Sequence, residues 1–288
     1  MDLSIIIVNY NTKDLTMQTI QAVIDTTHKT KYEIILVDNA SSDGMVEAVR
    51  KGYLNVKVIV NTENLGFSKA NNMGMKQSIG KYILLLNSDT KVLGNSIDKC
   101  FDYIDLHKDI GALGPKINLA NGKFDHACKR GFPTPSASLF YMMKLDKLFP
   151  KSEKYGRYKM NYLSNDDINE VDSLTGAFMM VRNEVINKIG MLDEEFFMYG
   201  EDLDWCYRIK EVGYKVMYYP EAKIIHYKGQ SSKKKRVKTI YEFHRAMYLF
   251  YNKHFYKKYN FFITLLVYIG IGIKLVLSYI ANLLKGKK

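Results

Sequence analysis

Apolar runs that stop abruptly on small polar residues recur along the first ninety positions of the chain. They are SIIIVNYN at 4–11, EIILVDNASSDG at 33–44, VKVIV at 56–60 and YILLLNSDT at 82–90. Continuous apolar runs predict strands buried on both faces, as in a parallel sheet. Between them lie stretches with helical spacing. Residues 13–27 carry Leu15, Ile20, Val23 and Ile24 as a rough apolar stripe, and 43–52 predict a short helix. Residues 64–80 predict a loop and a helix closed by Gly80. This alternation predicts an α/β fold, a mostly parallel sheet covered by helices on both faces.

The pattern then loosens. DIGALGPKI, 109–117, predicts a strand. Residues 121–165 have no clear period. Pro115, Pro133, Pro135 and Pro150 fall in or near them, among many Tyr, Lys and Met, and the segment is expected to run over the surface. VDSLTGAFMMVRNEVINKIG predicts a strand, a small-residue turn at Gly176 and Ala177, a second strand and a helix. DEEFFMYGEDLDWCYRIKEVGYKV places acids just before and inside a helix that starts near Glu201. A further strand, KIIH, ends on His226. No internal repeat is present, and KKKRVK is the one low-complexity tract.

Charge sharpens this division. The 288 residues carry a formal +12, but residues 224–288 hold 14 Lys/Arg against the single acid Glu242, leaving the body near −1. A near-neutral body with a basic end implies an anionic partner: nucleic acid, acidic lipid or phosphate groups. The chain is 47% hydrophobic, enough for one or two domains with a real core. Cys100, Cys128 and Cys206 are odd in number and far apart, with no CxxC pair, so neither a zinc site nor a disulfide framework is expected and a reducing compartment fits. MDLSIIIVNYN leads straight from Met1 into the first strand without a leader pattern, so a cytoplasmic location is expected.

Three strand ends carry the candidate chemistry: Asn9-Tyr10-Asn11, Asp38-Asn39 and Asn87-Ser88-Asp89. Turn formers at a strand end explain any one of them. Three ends side by side fit a ligand in the crevice at the carboxyl edge of the sheet, with Asp38 placed for a base or ribose. No GxGxxG and no GxxxxGK[ST] occurs, which disfavours a dinucleotide dehydrogenase or a P-loop enzyme. A diphosphate without a glycine-rich cradle needs charge from elsewhere. Mg²⁺ or Mn²⁺ on a carboxylate supplies it, and Asp89 is the candidate.

Taken in order, SIIIVNYN, EIILVDNASSDG, NTENLGFSKANNMGM, YILLLNSDT, DSLTGAFMMVRNEV, FFMYGEDLDWCYRIKEVGYKV and IIHYKGQSS resemble a family 2 glycosyltransferase of the GT-A fold, in its bacterial rhamnosyltransferase-like branch. The resemblance covers residues 3 to about 255. It implies a Rossmann-like catalytic domain over 1–228 and a basic helical extension over 229–288. NSD stands where the family has its DXD metal motif, with Asn87 in place of the first acid, so Asp89 is left to hold the metal. Asp38 is similar to the base- and ribose-binding acid. Asn64, Gly66 and Phe67 resemble the loop beside the nucleotide, and Asn71 lies on the helix after it. Asn9, Asn11, Ser88 and Gly176 complete the implied donor site. Glu201-Asp202 resembles the acid pair that supplies the catalytic base, and His226 the histidine that closes the metal and diphosphate site. Arg245 lies where the family often has a basic helix near the donor phosphates.

The required chemistry agrees. Sugar transfer needs charge neutralisation on the departing diphosphate and a carboxylate to take the acceptor proton. Acids opening a helix stay ionised in its dipole, although first-turn acids are also ordinary capping chemistry. Trp205 is either a core aromatic or a sugar platform. Lys233 to Arg236 is either a solvated loop or part of the diphosphate grip. Asp89 and His226 are expected to face the metal from opposite sides. The resulting expectation is an inverting, metal-dependent transferase that moves rhamnose or a hexose from a dTDP or UDP donor to a lipid-linked or polysaccharide acceptor in bacterial surface glycan synthesis.

Two rivals remain at this level. A nucleotidyltransferase wants a basic, glycine-rich segment after the first strand, and NYNTKD is not one. A nucleic-acid binder fits the interleaved Lys and Tyr of the basic end. Its phosphates would meet the strand-end acids, so no nucleic-acid partner is expected. Residues 259–273 are uncharged, Lys274 interrupts, and ten more uncharged residues follow to 284. Neither piece alone reaches the ~20 residues of a spanning helix; joined they could span, with Lys274 near mid-membrane at a cost of roughly 3 kcal/mol. A helix lying in the interface, with Lys274 snorkelling and Lys253, Lys257, Lys258, Lys285, Lys287 and Lys288 flanking, is expected to bind an anionic membrane surface at its cytoplasmic face. An oligomer is compatible with the same segment.

Overall fold

A computed structural model describes residues 1–229 and 236–285. The four apolar runs form parallel strands β1 (Leu3–Asn9), β2 (Tyr32–Asp38), β3 (Val56–Val60) and β4 (Tyr82–Asn87), in the order β3-β2-β1-β4. Helices α1 (Lys13–Thr26), α2 (Met45–Gly52) and α3 (Phe67–Lys76) connect them. Register brings the polar strand ends together: Asn9 pairs with Asp38, and Val8 with Asn87. Helix α3 ends four residues before Gly80. That glycine serves a close approach instead, since a Cβ there would lie 2.5 Å from the Ser4 nitrogen.

Beyond β4 come β5 (Thr90–Leu93), α4 (Ser96–Leu106), β6 (Ile110–Leu119), α5 (Pro135–Met142), α6 (Leu145–Leu148), α7 (Glu153–Gly156), β7 (Asn169–Glu170), β8 (Phe178–Arg182), α8 (Asn183–Ile189), α9 (Glu201–Glu211) and β9 (Lys215–His226). The fold is α/β with a mainly parallel central sheet. It continues from β4 through antiparallel β8 to β6, β9 and β5, with β7 beside β9. The surface excursion of 121–165 contains a 3₁₀ turn at His126–Cys128 and three short α-helices, α5, α6 and α7. The strand expected at 171–175 is absent. Its chain is held instead by the two-residue β7 before it and an isolated bridge between Ser173 and Arg130.

The central strands are buried on both faces: Ile5, Ile6, Ile7, Leu84 and Met179 are all inaccessible. A second apolar cluster joins Phe196, Leu203 and Tyr207 to Ala246, Phe250, Tyr251 and Phe255. It fastens α10 (Arg236–His254) to α9. The two apolar pieces at the end of the chain form one helix, α11 (Phe261–Lys285), with Lys274 inside it. No helix breaker separates them, and Lys is a good helix former. Helix α11 rests on α10 through a hydrogen bond between the Tyr251 and Thr264 hydroxyls, 2.9 Å apart. Phe261, Phe262, Leu266, Leu277 and Leu283 are exposed along it.

Candidate active site

The turn from β4 to β5 carries Ser88 and Asp89. Strand β5 pairs antiparallel with β9, and its register sets Thr90 opposite His226. Asp89 Oδ1 therefore lies 3.0 Å from His226 Nε2. The two groups touch, which corrects the expectation that they face a ligand from opposite sides. Asn87 Nδ2 lies 3.4 Å from the same ring nitrogen. On the other side of the imidazole, Asp125 Oδ2 is 3.9 Å from Nδ1, and Lys228 pairs with Asp125 at 3.1 Å. Burial alone lowers the His226 pKa, but the carboxylates of Asp125 and Asp89 outweigh it and raise it to about 9. Burial likewise raises Asp125, yet His226 and Lys228 hold it far below the usual carboxylate range.

Helix α9 opens with the acid pair. Glu201 is 6% exposed and its Oε2 has no hydrogen-bond partner among the described residues. Burial first, and the neighbouring Asp202 second, push its pKa up to about 8. Asp202 pairs with a cation and, among the described residues, Glu201 does not: Oδ2 of Asp202 accepts from Arg130 at 2.7 Å, and Oδ1 accepts from the Leu203 amide at 2.8 Å. Gly176 N points at the same Oδ2, 3.4 Å away.

One continuous cavity of about 1040 Å³ joins these groups. Asn87, Ser88, Asp89, Gly176, Glu201, Asp202 and His226 all line it. Asn64, Gly66 and Phe67 also reach it. Gly66 is required there: its φ is +85°, and a Cβ would come 2.4 Å from the Phe197 carbonyl oxygen. Asn64 accepts from the Gly66 amide at 2.9 Å and shapes the loop.

Other sequence candidates sit behind the cavity wall. Asn9 donates to Asp38 at 3.0 Å and accepts from Thr12 and Thr16, both at 2.7 Å. The second oxygen of Asp38 accepts from the Ser41 amide. With both its oxygens committed and 1% exposure, Asp38 acts here as a loop anchor and does not line the cavity. Asn11 accepts from the Ser42 amide at 2.9 Å, and Asn71 donates to the Phe67 carbonyl. Arg245 donates to the Glu195 carbonyl at 2.6 Å and does not line the cavity either. Trp205 is fully buried and donates to the Gly190 carbonyl, so it is a core aromatic. Cys206 is buried and all three cysteines are free. Lys233, Lys234 and Lys235 lie outside the described residues, as does the side chain of Arg236.

Comparison with known proteins decides the family. Residues 4–190 match the family model for glycosyl transferase family 2. The chain belongs to that family. Among family 2 relatives, an N-acetylglucosaminyl-diphospho-decaprenol L-rhamnosyltransferase of Mycobacterium tuberculosis is 26% identical over 228 residues, covering 75% of this chain and 73% of the relative. The low-salt glycan biosynthesis hexosyltransferase Agl10 of Haloferax volcanii is 28% identical over 213 residues, covering 73% of this chain and 62% of its own. In fold, the chain is similar to GalNAc-T7 solved with UDP, GalNAc and Mn²⁺ (TM-score 0.62, 19% identity, 87% of this chain and 50% of that one). It is also similar to a Pyrobaculum calidifontis mannosyltransferase in complex with GDP-Man and Mn²⁺ (TM-score 0.59, 13% identity, 86% and 63%). The protein is a family 2 glycosyltransferase with a GT-A fold.

Sequence reasoning missed Arg130, Asp125 and Lys238, all of which line this family 2 cavity. The first two lie in the aperiodic middle segment, where no strand end or helix start marks a residue as special. Their one signal is charge among apolar and aromatic neighbours, as in CKRGF.

Proposed function

We propose that this glycosyltransferase is inverting and metal-dependent, and that it moves a sugar from a nucleotide diphosphate to a lipid-linked acceptor. The observation that carries the reading is the placement of Asp89 with His226 and of Glu201 with Asp202 on the wall of one cavity. Among the described residues no group of three or more His, Cys, Asp or Glu side chains is gathered around a possible ion. A carboxylate with phosphate oxygens completing the shell is nevertheless an ordinary arrangement for a hard cation, so Asp89 fits the role, with His226 beside it at 3.0 Å. A bound Mg²⁺ or Mn²⁺ would supply neutralising charge at the departing diphosphate. His226 would ligate as neutral imidazole, giving up the Nε2 proton that otherwise faces Asp89.

On the same wall Asp202 takes the acceptor hydroxyl proton as the new bond to the sugar carbon forms. The bond from that carbon to the diphosphate oxygen breaks, and the electron pair leaves with the diphosphate. Arg130 holds the Asp202 carboxylate in place. Inversion rests on the family resemblance and on a single displacement with one base. The Mycobacterium tuberculosis relative makes dTDP-rhamnose the first donor to test and UDP-hexoses the next. A thermal-shift panel of nucleoside diphosphates with and without Mn²⁺ tests the reading and selects the base. A Mn²⁺-dependent rise for one of them is expected by mass action; a panel with no response would reject it.

A further inference from the structure

The cavity does not end at the acid pair. Its volume, about 1040 Å³, stands at the upper limit of ordinary ligand pockets, ~300–1,000 Å³, so it has room beyond one nucleotide sugar. Past Glu201 and Asp202 the wall passes to α5, α10 and α11, through Met142, Phe243, Met247, Leu266 and Ile271. Met142 and Leu266 are more than half exposed, so the apolar end opens to the outside. Two cations, Lys238 and Lys274, stand in this mostly apolar stretch, which also carries Ser136, Ser138, Thr239 and Glu242. The Lys238 ammonium lies 3.8 Å from the centre of the Phe197 ring, and that of Lys274 lies 5.5 Å from Phe243. The Phe243 ring in turn meets Tyr199 edge-on at 5.7 Å, two residues from Glu201. Glu242 also lines the cavity, but it pairs with Arg245 at 3.6 Å. Lys228 is taken by Asp125. Among the described residues neither Lys238 nor Lys274 has a carboxylate within ion-pair distance.

We propose that this far end is the acceptor subsite, and that Lys238 and Lys274 hold the diphosphate of a lipid diphosphate while its hydrocarbon chain leaves over Met142 and Leu266 along α11. The proposal rests on the glycosyl-transfer reading above and says where its acceptor binds. Charge argues for the occupant: an anion is wanted by two cations that lack acids. Polarity argues for its tail, because the wall beyond them is apolar and opens beside a helix whose outer face is apolar too. Geometry argues for its head. A sugar on that diphosphate would lie between the lysines and Asp202, where its hydroxyl must give up a proton.

The test uses the full chain and farnesyl diphosphate as probe. Calorimetry is run with Mn²⁺ and saturating dTDP, or whichever nucleoside diphosphate the panel selects, so that the donor end is filled. Wild type should bind the probe. Lys274→Ala should weaken it by at least about tenfold, the low end for a hydrogen bond to a charged group. Leu266→Asp, at an exposed position, should weaken it as well, and both variants should bind the nucleoside diphosphate as wild type does. Nucleoside diphosphate binding with no probe binding, or probe binding that neither substitution affects, overturns this proposal alone. Failure of wild type to bind any nucleoside diphosphate overturns the transfer reading and this proposal with it. A dimer that buries α11 and leaves no probe binding assigns the face to a second copy of the chain, against the proposal.

Discussion

Asp202 and Glu201 are neighbours in sequence with different surroundings: among the described residues Asp202 pairs with a cation and Glu201 does not. Arg130 pairs with Asp202, while Glu201 is buried with an unpartnered oxygen and a pKa near 8. Asp202→Asn should therefore keep donor affinity and lower turnover by a factor on the order of 10² to 10⁴, the usual worth of a general base. Steady-state kinetics beside calorimetry separates the two; native turnover would remove Asp202 from the role. For Glu201 the sign follows from linkage. Its folded pKa lies above the ordinary 4.5, so the unfolded chain releases this proton first and stability is lost as pH rises from 4.5 to about 8. Glu201→Gln should escape that loss, and its advantage in thermal stability over wild type should grow from pH 5 to pH 8, to an amount on the order of a few kcal/mol. A constant difference across that range would mean that Glu201 is ionised throughout. Asp89, His226, Glu201 and Asp202 were legible in the sequence because each closes a strand or opens a helix. Asp38 and Asn9 were equally legible as polar strand ends. Their side chains, however, satisfy one another and the neighbouring loop, and a pattern of polarity does not distinguish an anchor from a ligand contact.

Elements place these residues, and some of the placement comes from pieces too short to register as periodicity. Strand β5 has four residues, yet its pairing with β9 is what sets Asp89 against His226. Its neighbours β1, β2 and β4 were plain in the sequence because they are buried on both faces. In GEDLDW the third acid has a different task. Asp204 is fully buried and gathers Arg208 at 2.7 Å, Lys253 at 2.7 Å and His254 at 2.8 Å, tying α9 to α10. Burial raises its pKa, but the hydrogen bond from His254 and the charge of Arg208 hold it at about 2. Lys253, expected among the membrane-facing cations, is committed to Asp193 and Asp204 instead. Asp204→Ala removes the shared carboxylate from this buried cluster, leaving Lys253 only Asp193 and Arg208 only backbone carbonyls, and should cost about 3–5 kcal/mol. Urea denaturation checks this, and a loss below 1 kcal/mol would show that α10 is fixed by its apolar cluster alone.

At the scale of the whole molecule, the chain carries its chemistry inside and its apolar surface at one end. Phe261–Leu284 is one helix of 24 residues, long and apolar enough by length and composition to cross a membrane. Lys274 on that helix faces the cavity and the Phe243 ring, and this favours a helix lying on the bilayer with one side turned to the catalytic body. Lys257 and Lys258 are exposed beside its start. The full chain should sediment with anionic vesicles and not with neutral ones, and Lys257→Glu with Lys258→Glu should weaken this, at about 1 kcal/mol per charge near the surface. Equal sedimentation with both kinds of vesicle would assign the binding to apolar contact without charge. The central claim is narrower: a nucleotide diphosphate sits at Asp89 and His226 and needs a divalent cation to do so. Calorimetric titration of the selected nucleoside diphosphate, with and without Mn²⁺, tests it most directly. Wild type should bind tightly only with the metal, His226→Ala should bind more weakly, and Asp89→Ala should lose the metal dependence; unchanged, metal-dependent affinity in Asp89→Ala would contradict the account.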